Sequence, residues 1–401
     1  MEQLNIFDFI NKEYEDYKIT KPIRLIELFA GIGSQAKALE RLGANFEHYR
    51  VVEFDKYAIK SYNAVHGTNF ETSDITKISA DYLGIEDTKN YEYIVTYSFP
   101  CQDLSMAGKG KGMEKGSGTR SGLLWEVERL LNECNELPQV LLMENVPQVH
   151  SKKNIEHFNQ WIAALEQLGY SNFYEDLNAK NYGIPQNRNR TFMVSILGYQ
   201  TYKFPKPFEL KLKLKDMLEE DADEKYYLTE KGLTYILGNA VNKSLKDMYK
   251  RADAFFNKTI AYCLNTKVDR RIGDSNYINE EYDEEIQVKT FLKIKNATKK
   301  GYLEAYEGDG VDISRRMQYH RGTVQRGIIQ TLDTQPTKGV VVSVEKTKIR
   351  KLTPKECWRL MGFDDEDFNK ASHVNSDTQL YKQAGNSIVV NVLEEIFKQL
   401  L

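Results

Sequence analysis

Cys101 stands in Tyr97-Ser98-Phe99-Pro100-Cys101-Gln102-Asp103-Leu104-Ser105, directly after the β-branched and aromatic run Tyr93-Ile94-Val95-Thr96-Tyr97. Such a run reads as a short buried strand, and open α/β sheets carry their sites beyond the carboxyl ends of their strands. A free thiol has a pKa of about 8.5, so a nucleophilic thiolate at neutral pH needs positive or hydrogen-bonding neighbours. Residues 108 to 120 are glycine-dense and carry Lys109, Lys111, Lys115 and Arg120, which suits a lid that closes over a polyanion. A lone cysteine is more often a small buried hydrophobe and a glycine-rich stretch more often a linker, so it is their adjacency that suggests chemistry.

A second chemical group follows another apolar run. Val140-Leu141-Leu142-Met143 has no polar alternation, as in a central parallel strand covered on both faces, and it leads straight into Glu144-Asn145-Val146-Pro147. A carboxylate at the mouth of a buried strand is costly to desolvate, so its pKa rises and it can donate a proton near neutral pH. Capping the next helix is the plainer role for Glu144, and Asn145 can serve it too. Further on, Gln186-Asn187-Arg188-Asn189-Arg190 brings two guanidinium groups to the start of the run Thr191-Phe192-Met193-Val194.

These groups need a scaffold, and the alternation from 23 to 197 supplies one. Residues 23 to 29 read as a strand, Ala30-Gly31-Ile32-Gly33 as a tight turn, and 34 to 42 as a helix stopped by Gly43. Gly31, Gly33 and Ala36 satisfy the small-residue spacing of nucleotide-binding turns. Glu53 ends the next strand 20 residues beyond Gly33, where an acid can accept from a ribose, and Asp55 can cap the helix that follows. Asp74 is the next acid at the sheet's rim. Alternating β and α units predict a Rossmann-like, doubly wound parallel sheet. Phe204-Pro205-Lys206-Pro207 breaks the pattern, so domains are expected at 1 to 204, at 205 to 371, and in a C-terminal helix within 372 to 401.

The 401 residues, 41% hydrophobic, suffice for two cores. No run is apolar enough to span a bilayer and the start is no signal peptide, so a cytoplasmic protein is expected. The four cysteines, Cys101, Cys134, Cys263 and Cys357, are far apart and predict neither a zinc site nor disulfides. The net charge of -3 does not advertise a nucleic-acid binder, yet residues 311 to 360 hold 11 basic against 4 acidic residues. There Arg315, Arg316, Arg321 and Arg326 mix with amides and aromatics, the side chains suited to phosphates and base edges. A solvated face is the plainer reading of a charge run.

Taken together, these motifs resemble the DNA cytosine-5 methyltransferase family of bacterial or phage type. Phe29-Ala30-Gly31-Ile32-Gly33 is similar to its cofactor loop, Pro100-Cys101-Gln102 to its nucleophile motif, Glu144-Asn145-Val146 to its acid motif, and Gln186, Arg188 and Arg190 to its Gln-x-Arg-x-Arg. Residues 350 to 363 resemble its Arg-x-Leu-Thr block, Gly385-Asn386-Ser387 its closing Gly-Asn-Ser, and Thr331-Leu332 a pair near the end of its variable region.

The resemblance implies an S-adenosylmethionine-dependent methyltransferase fold with a second, smaller target-recognition domain. It implies a cofactor pocket of Phe29, Gly31, Ile32, Gly33, Glu53, Phe54, Asp74, Ile75, Pro100, Leu123, Asn386 and Ser387. Cys101, Glu144, Arg188 and Arg190 would be catalytic. Gln102, Ser105, Lys109, Lys111, Gln186, Arg315, Arg316, Arg321 and Arg326 would meet the DNA. It further implies a monomer acting on double-stranded DNA through a Cys101 adduct, with any cognate restriction endonuclease acting separately and no metal. Three other readings stay open at this point: an NAD-dependent oxidoreductase built on the glycine turn, a catalytically silent DNA binder, and a tRNA methyltransferase.

Overall fold

The computed structural model describes residues 16–101, 104, 112–229, 232–233, 291–314, 321–344 and 348–401. The chain forms two compact units. The first takes the chain through Glu220 together with Ile328–Pro336 and Thr353–Leu401; the second takes Asp221–Gly327 and Thr337–Leu352.

The first unit follows the expected alternation through β1 (Ile23–Leu28), α1 (Ser34–Arg41), β2 (Phe46–Val52), α2 (Lys56–His66), β3 (Glu92–Tyr97), α3 (Leu124–Glu133), β4 (Val140–Asn145) and α4 (Ile155–Gln167). It continues through β5 (Tyr170–Asn178), β6 (Gln186–Asn187) and β7 (Asn189–Leu197). Six of these strands make one sheet in the order β2-β1-β3-β4-β7-β5. Every residue of β3 and β4 is buried, as their unbroken apolar runs require of central strands. Tyr93, Val95 and Tyr97 of β3 join one cluster with Trp125, Val127 and Leu130 of α3 and Phe158, Trp161 and Leu165 of α4.

The sheet departs from the expected parallel order at one edge. β7 runs antiparallel to both β4 and β5. Its direction follows from chain length: only residues 179 to 188 separate β5 from β7, too few for the crossover of a dozen or more that a parallel return needs. The strand therefore turns back and inserts beside β4, with Asn145 opposite Thr191 and Glu144 opposite Phe192.

The domain boundaries also differ from expectation. Residues 205 to 220 and 353 to 371 belong to the first unit. The helices α5 (Pro354–Arg359), α6 (Asp365–Ser372), α7 (Asp377–Asn386) and α8 (Val390–Leu400) pack there, α6 on α2 and α8 on α1. Lys37 of α1 pairs with Asp367 at 2.8 Å, and Thr353 and Glu356 form a reciprocal cap that starts α5. Residues Ile328–Pro336 return to the first unit as well, because β12 (Ile329–Gln330) pairs in parallel with β6.

The second unit contains β8 (Leu292–Lys295), β9 (Tyr302–Ala305), β10 (Gly310–Asp312), β11 (Val324–Gln325), β13 (Lys338–Ser343) and β14 (Lys348–Lys351). Four of them form a sheet in the order β11-β10-β13-β14, and β8 pairs with β9. Its core is Leu292, Ile294, Ala305, Val311, Val341, Val344 and Ile349. No helix among the described residues is long and apolar enough to cross a membrane.

Candidate active site

Three adjacent strand ends carry the chemistry. Leu28 of β1 lies opposite Tyr97 of β3, and Tyr97 lies opposite Met143 of β4. The glycine turn, the thiol turn and Glu144 therefore emerge side by side at the carboxyl edge of the sheet. The reversed β7 brings its beginning, and so Arg188 and Arg190, to the same edge.

Cys101 is half-buried. Burial first, and the Glu144 carboxylate second, push its thiol up, while Arg190 and Arg188 pull it down. Glu144 is buried at 8% exposure, and desolvation raises its pKa against the pull of Arg190 and Arg188. Arg190 Nε meets Glu144 Oε1 at 3.1 Å. This couples a thiol, a carboxyl and two guanidinium groups within one electrostatic field.

The backbone around the thiol is held from two sides. Asn145 Nδ2 donates to the Phe99 carbonyl at 2.9 Å, and Ser121 Oγ donates to the Pro100 carbonyl at 2.6 Å. Asn145, which its position alone suggests as a helix cap, thus ties β4 to the thiol turn; Ser121 carried no sequence signal at all.

The glycine turn has its own restraints. Phe29 is the only non-glycine residue with positive φ among the described residues, at 59°. Such backbone is strained for a bulky residue and persists only where its surroundings fix it. Here the Val52 carbonyl accepts from the amides of both Phe29 and Ala30. Glu53 accepts from the Gly31 amide at 2.9 Å and the Asp55 amide at 2.7 Å. Gly31, at φ 59°, has open space where a side chain would begin, and Phe54 beyond it is 77% exposed. Asp74 accepts from the amide and hydroxyl of Thr76, which hold its carboxyl below the usual range. Ser387 closes the far side, its hydroxyl 2.6 Å from that of Ser34 at the start of α1. Ile32 and Ile75 are buried, Pro100 and Leu123 half-buried, and Asn386 exposed.

Two sequence expectations change. Gln186 is fully buried: its amide nitrogen donates to the Leu360 carbonyl at 2.8 Å, and its oxygen accepts from the Leu332 amide at 3.2 Å. It joins β6 to returning chain segments and has no surface for DNA. Arg188 is expected at the base and Glu144, but its guanidinium donates to the carbonyls of Leu332, Gly385 and Ser387 at 3.3, 3.1 and 2.6 Å. Burial, and then Arg190, push its pKa below the ordinary arginine range, and those carbonyls hold the charge in place. Arg188 thus anchors the Gly385-Asn386-Ser387 segment. There Gly385 approaches so closely that a Cβ would lie 2.4 Å from the Asp333 carbonyl oxygen.

Arg326 and Arg321 lie in the second unit and are exposed. Arg326 already pairs with Asp309 at 2.6 Å and stacks over Tyr306. Gln102, Ser105, Lys109, Lys111, Arg315 and Arg316 fall outside the described residues.

The model of the C-5 cytosine-specific DNA methylase family matches residues 23–401. The chain belongs to this family. Its reaction is methylation of carbon 5 of cytosine in DNA. The methylase is 33% identical to the type II methyltransferase M2.ScrFI of Lactococcus lactis subsp. cremoris over 94% of this chain and 99% of that protein. It is 31% identical to the orphan methyltransferase M.SssI of Spiroplasma monobiae, over 95% and 98%. The structure of the Entamoeba histolytica methyltransferase EhMeth shares the fold, with a TM-score of 0.58 and 17% identity over 95% of this chain and 98% of that one.

Asn145 offers a test of how the methylase holds its thiol. Asn145→Ala leaves the Phe99 carbonyl without its buried donor, which costs about 1–3 kcal/mol. Chemical denaturation should show that loss, and turnover should fall more than donor affinity. Unchanged turnover would remove Asn145 from the positioning of Cys101.

Proposed function

We propose that this methylase uses S-adenosylmethionine as methyl donor and double-stranded DNA as substrate, with Cys101 as nucleophile and Glu144 as proton donor. The observation that carries this reading is the shared field of Cys101, Glu144 and Arg190 one strand away from the glycine turn.

The residues at that turn suit the donor. Glu53 would accept from a ribose hydroxyl and Asp74 from an amino group, and Phe29 and the exposed Phe54 would offer apolar faces to a purine. The open space over Gly31 lets a ligand approach the backbone. S-adenosylmethionine supplies an electrophilic methyl group when bound there.

The protein's own groups do the rest. Carbon 5 of cytosine is a poor nucleophile until Cys101 Sγ adds to carbon 6. As that bond forms, negative charge grows toward N3 of the base, and Glu144 hands a proton to it. Arg190 keeps the Glu144 carboxyl aimed at this position. After carbon 5 has accepted the methyl group, a water takes its proton, the Cys101 thiolate leaves carbon 6, and N3 returns its proton to Glu144, which leaves neutral 5-methylcytosine. Within a duplex carbon 6 is inaccessible, so the cytosine must swing out of the helix at a cost of roughly a few kcal/mol.

The second unit is the target-recognition domain in this reading, with Arg321 and Arg326 on its surface. The enzyme acts as a cytoplasmic monomer. Its relatives include a type II methyltransferase and an orphan one, which supports either a restriction–modification or a solitary setting.

The decisive experiment offers duplex DNA of mixed sequence together with labelled S-adenosylmethionine, then maps the modified positions. Label at carbon 5 of cytosine within one short motif is expected; label confined to RNA would overturn the substrate. Glu53→Ala removes the carboxylate that brackets the Gly31 turn and should weaken S-adenosylmethionine binding about ten- to hundredfold, the worth of a charged hydrogen bond. Titration calorimetry decides it, and an unchanged affinity would take Glu53 out of the pocket.

A further inference from the structure

Three side chains that take no part in the chemistry above converge behind the glycine turn. Glu40 comes from α1, His48 from β2 and His66 from the end of α2. Glu40 Oε1 lies 2.7 Å from His66 Nδ1 and 3.5 Å from His48 Nε2. All three ligand atoms fall within 4.8 Å of one another. The His66 side chain is enclosed, whereas those of His48 and Glu40 are 19% and 29% exposed, so an ion can reach the cluster from solvent.

The outer hydrogen bonds decide what these groups need. The Ile32 carbonyl, 3.1 Å from His66 Nε2, can only accept, so Nε2 carries the hydrogen. Tyr62 gives its hydroxyl hydrogen to Glu27, so its oxygen accepts from His48 Nδ1 at 2.9 Å. In its neutral form each ring therefore turns a lone pair, His66 Nδ1 and His48 Nε2, toward the same carboxylate oxygen. Three electron-rich atoms in that arrangement repel one another unless positive charge sits among them. Lys37 does not supply it, because its ammonium lies on the other oxygen, Glu40 Oε2, at 2.8 Å and is shared with Asp367. Two added protons, one on each ring, or a single divalent cation would meet the need.

We propose that Glu40, His48 and His66 form a binding site for a divalent transition-metal ion, with zinc the closest match. Two imidazoles and a carboxylate are a donor set that zinc takes, with a fourth position left for water. Each ring is anchored through its other nitrogen on an outer oxygen, as metal-binding histidines are. Tetrahedral zinc with bonds of about 2.0–2.1 Å sets its ligand atoms roughly 3.3 Å apart. The observed 2.7 and 3.5 Å bracket that separation. The ion's place in the molecule is structural: His66 holds the Ile32 carbonyl within the glycine turn, and a Cβ on Gly33 would lie 2.3 Å from His66 Nε2. Metal on His66 thus stiffens the turn without touching the reacting atoms.

Histidines at 48 and 66 with an acid at 40 match no ligand spacing that sequence reading tests for, and absent cysteine pairs predicted no metal. The test uses the full-length chain, stripped with a chelator and titrated with zinc alone against a chromophoric competitor. The wild type should take up about one ion per chain. His48→Ala should bind none above the level of unspecific uptake. Tyr62→Phe keeps the ring packed but removes the outer oxygen, and should weaken zinc binding about 10–100-fold. If the wild type binds no more zinc than His48→Ala, or if Tyr62→Phe binds as tightly as the wild type, the proposal is overturned and protonated histidines neutralise Glu40 instead.

Discussion

Cys101→Ala should abolish methyl transfer, lowering turnover by more than about 10,000-fold, while S-adenosylmethionine should still bind. The size of the effect follows from the lack of another route to an activated carbon 5: among the described residues no other thiol stands at this sheet edge to add to carbon 6. Donor binding survives because the glycine turn is held by Val52 and Glu53, not by the thiol. The fold survives too. The thiol is raised by burial and so contributes no charge to the resting protein, and truncating one half-buried sulfur costs about 1 kcal/mol. Single-turnover assays and calorimetry separate these outcomes. Transfer persisting above that limit would deny Cys101 the nucleophile's role, and lost donor binding would show that it belongs to the pocket.

The parallel half of the sheet and the order of its motifs were legible in the sequence because each signal there is local. Uninterrupted apolar runs give β3 and β4 their burial, and Gly31 and Gly33 mark a turn with positive φ. β5 was not legible: Tyr170-Ser171-Asn172-Phe173-Tyr174-Glu175-Asp176 is an edge strand whose exposed acids hide its pairing. Missing it concealed the reversal of β7. That reversal is what carries Arg190 to Glu144, so the ion pair could not be deduced from alternation alone. Gln186 and Arg188 hid their contacts in another way. Their spacing is right for a site, but their partners are backbone carbonyls and amides more than 140 residues away, at Leu332, Leu360 and Gly385. Nothing local announces such contacts. The domain boundary moved for the same reason, since α5 and α6 are assigned by what they pack on rather than by composition.

Glu144→Gln should lower the maximal rate about 100- to 10,000-fold, the usual worth of a general acid, and should also shift the pH profile. The form of that change follows from the coupling at the site. In the wild type the thiol must lose a proton while Glu144 keeps one. Activity therefore peaks between two apparent pKa values that belong to the pair and to neither group alone. The glutamine can never ionise, so the neighbour whose charged form raises the thiol is gone, and Arg190, freed of its partner, is left to lower it. One ionisation that matters for the attack, that of the thiol, then remains in the profile. The falling limb disappears, because an amide can donate a hydrogen bond to N3 of the base but has no proton to lose. A falling limb that persists in the variant would mean that it belongs to a group other than Glu144. An unchanged rate ceiling would mean that the proton reaching N3 comes from elsewhere.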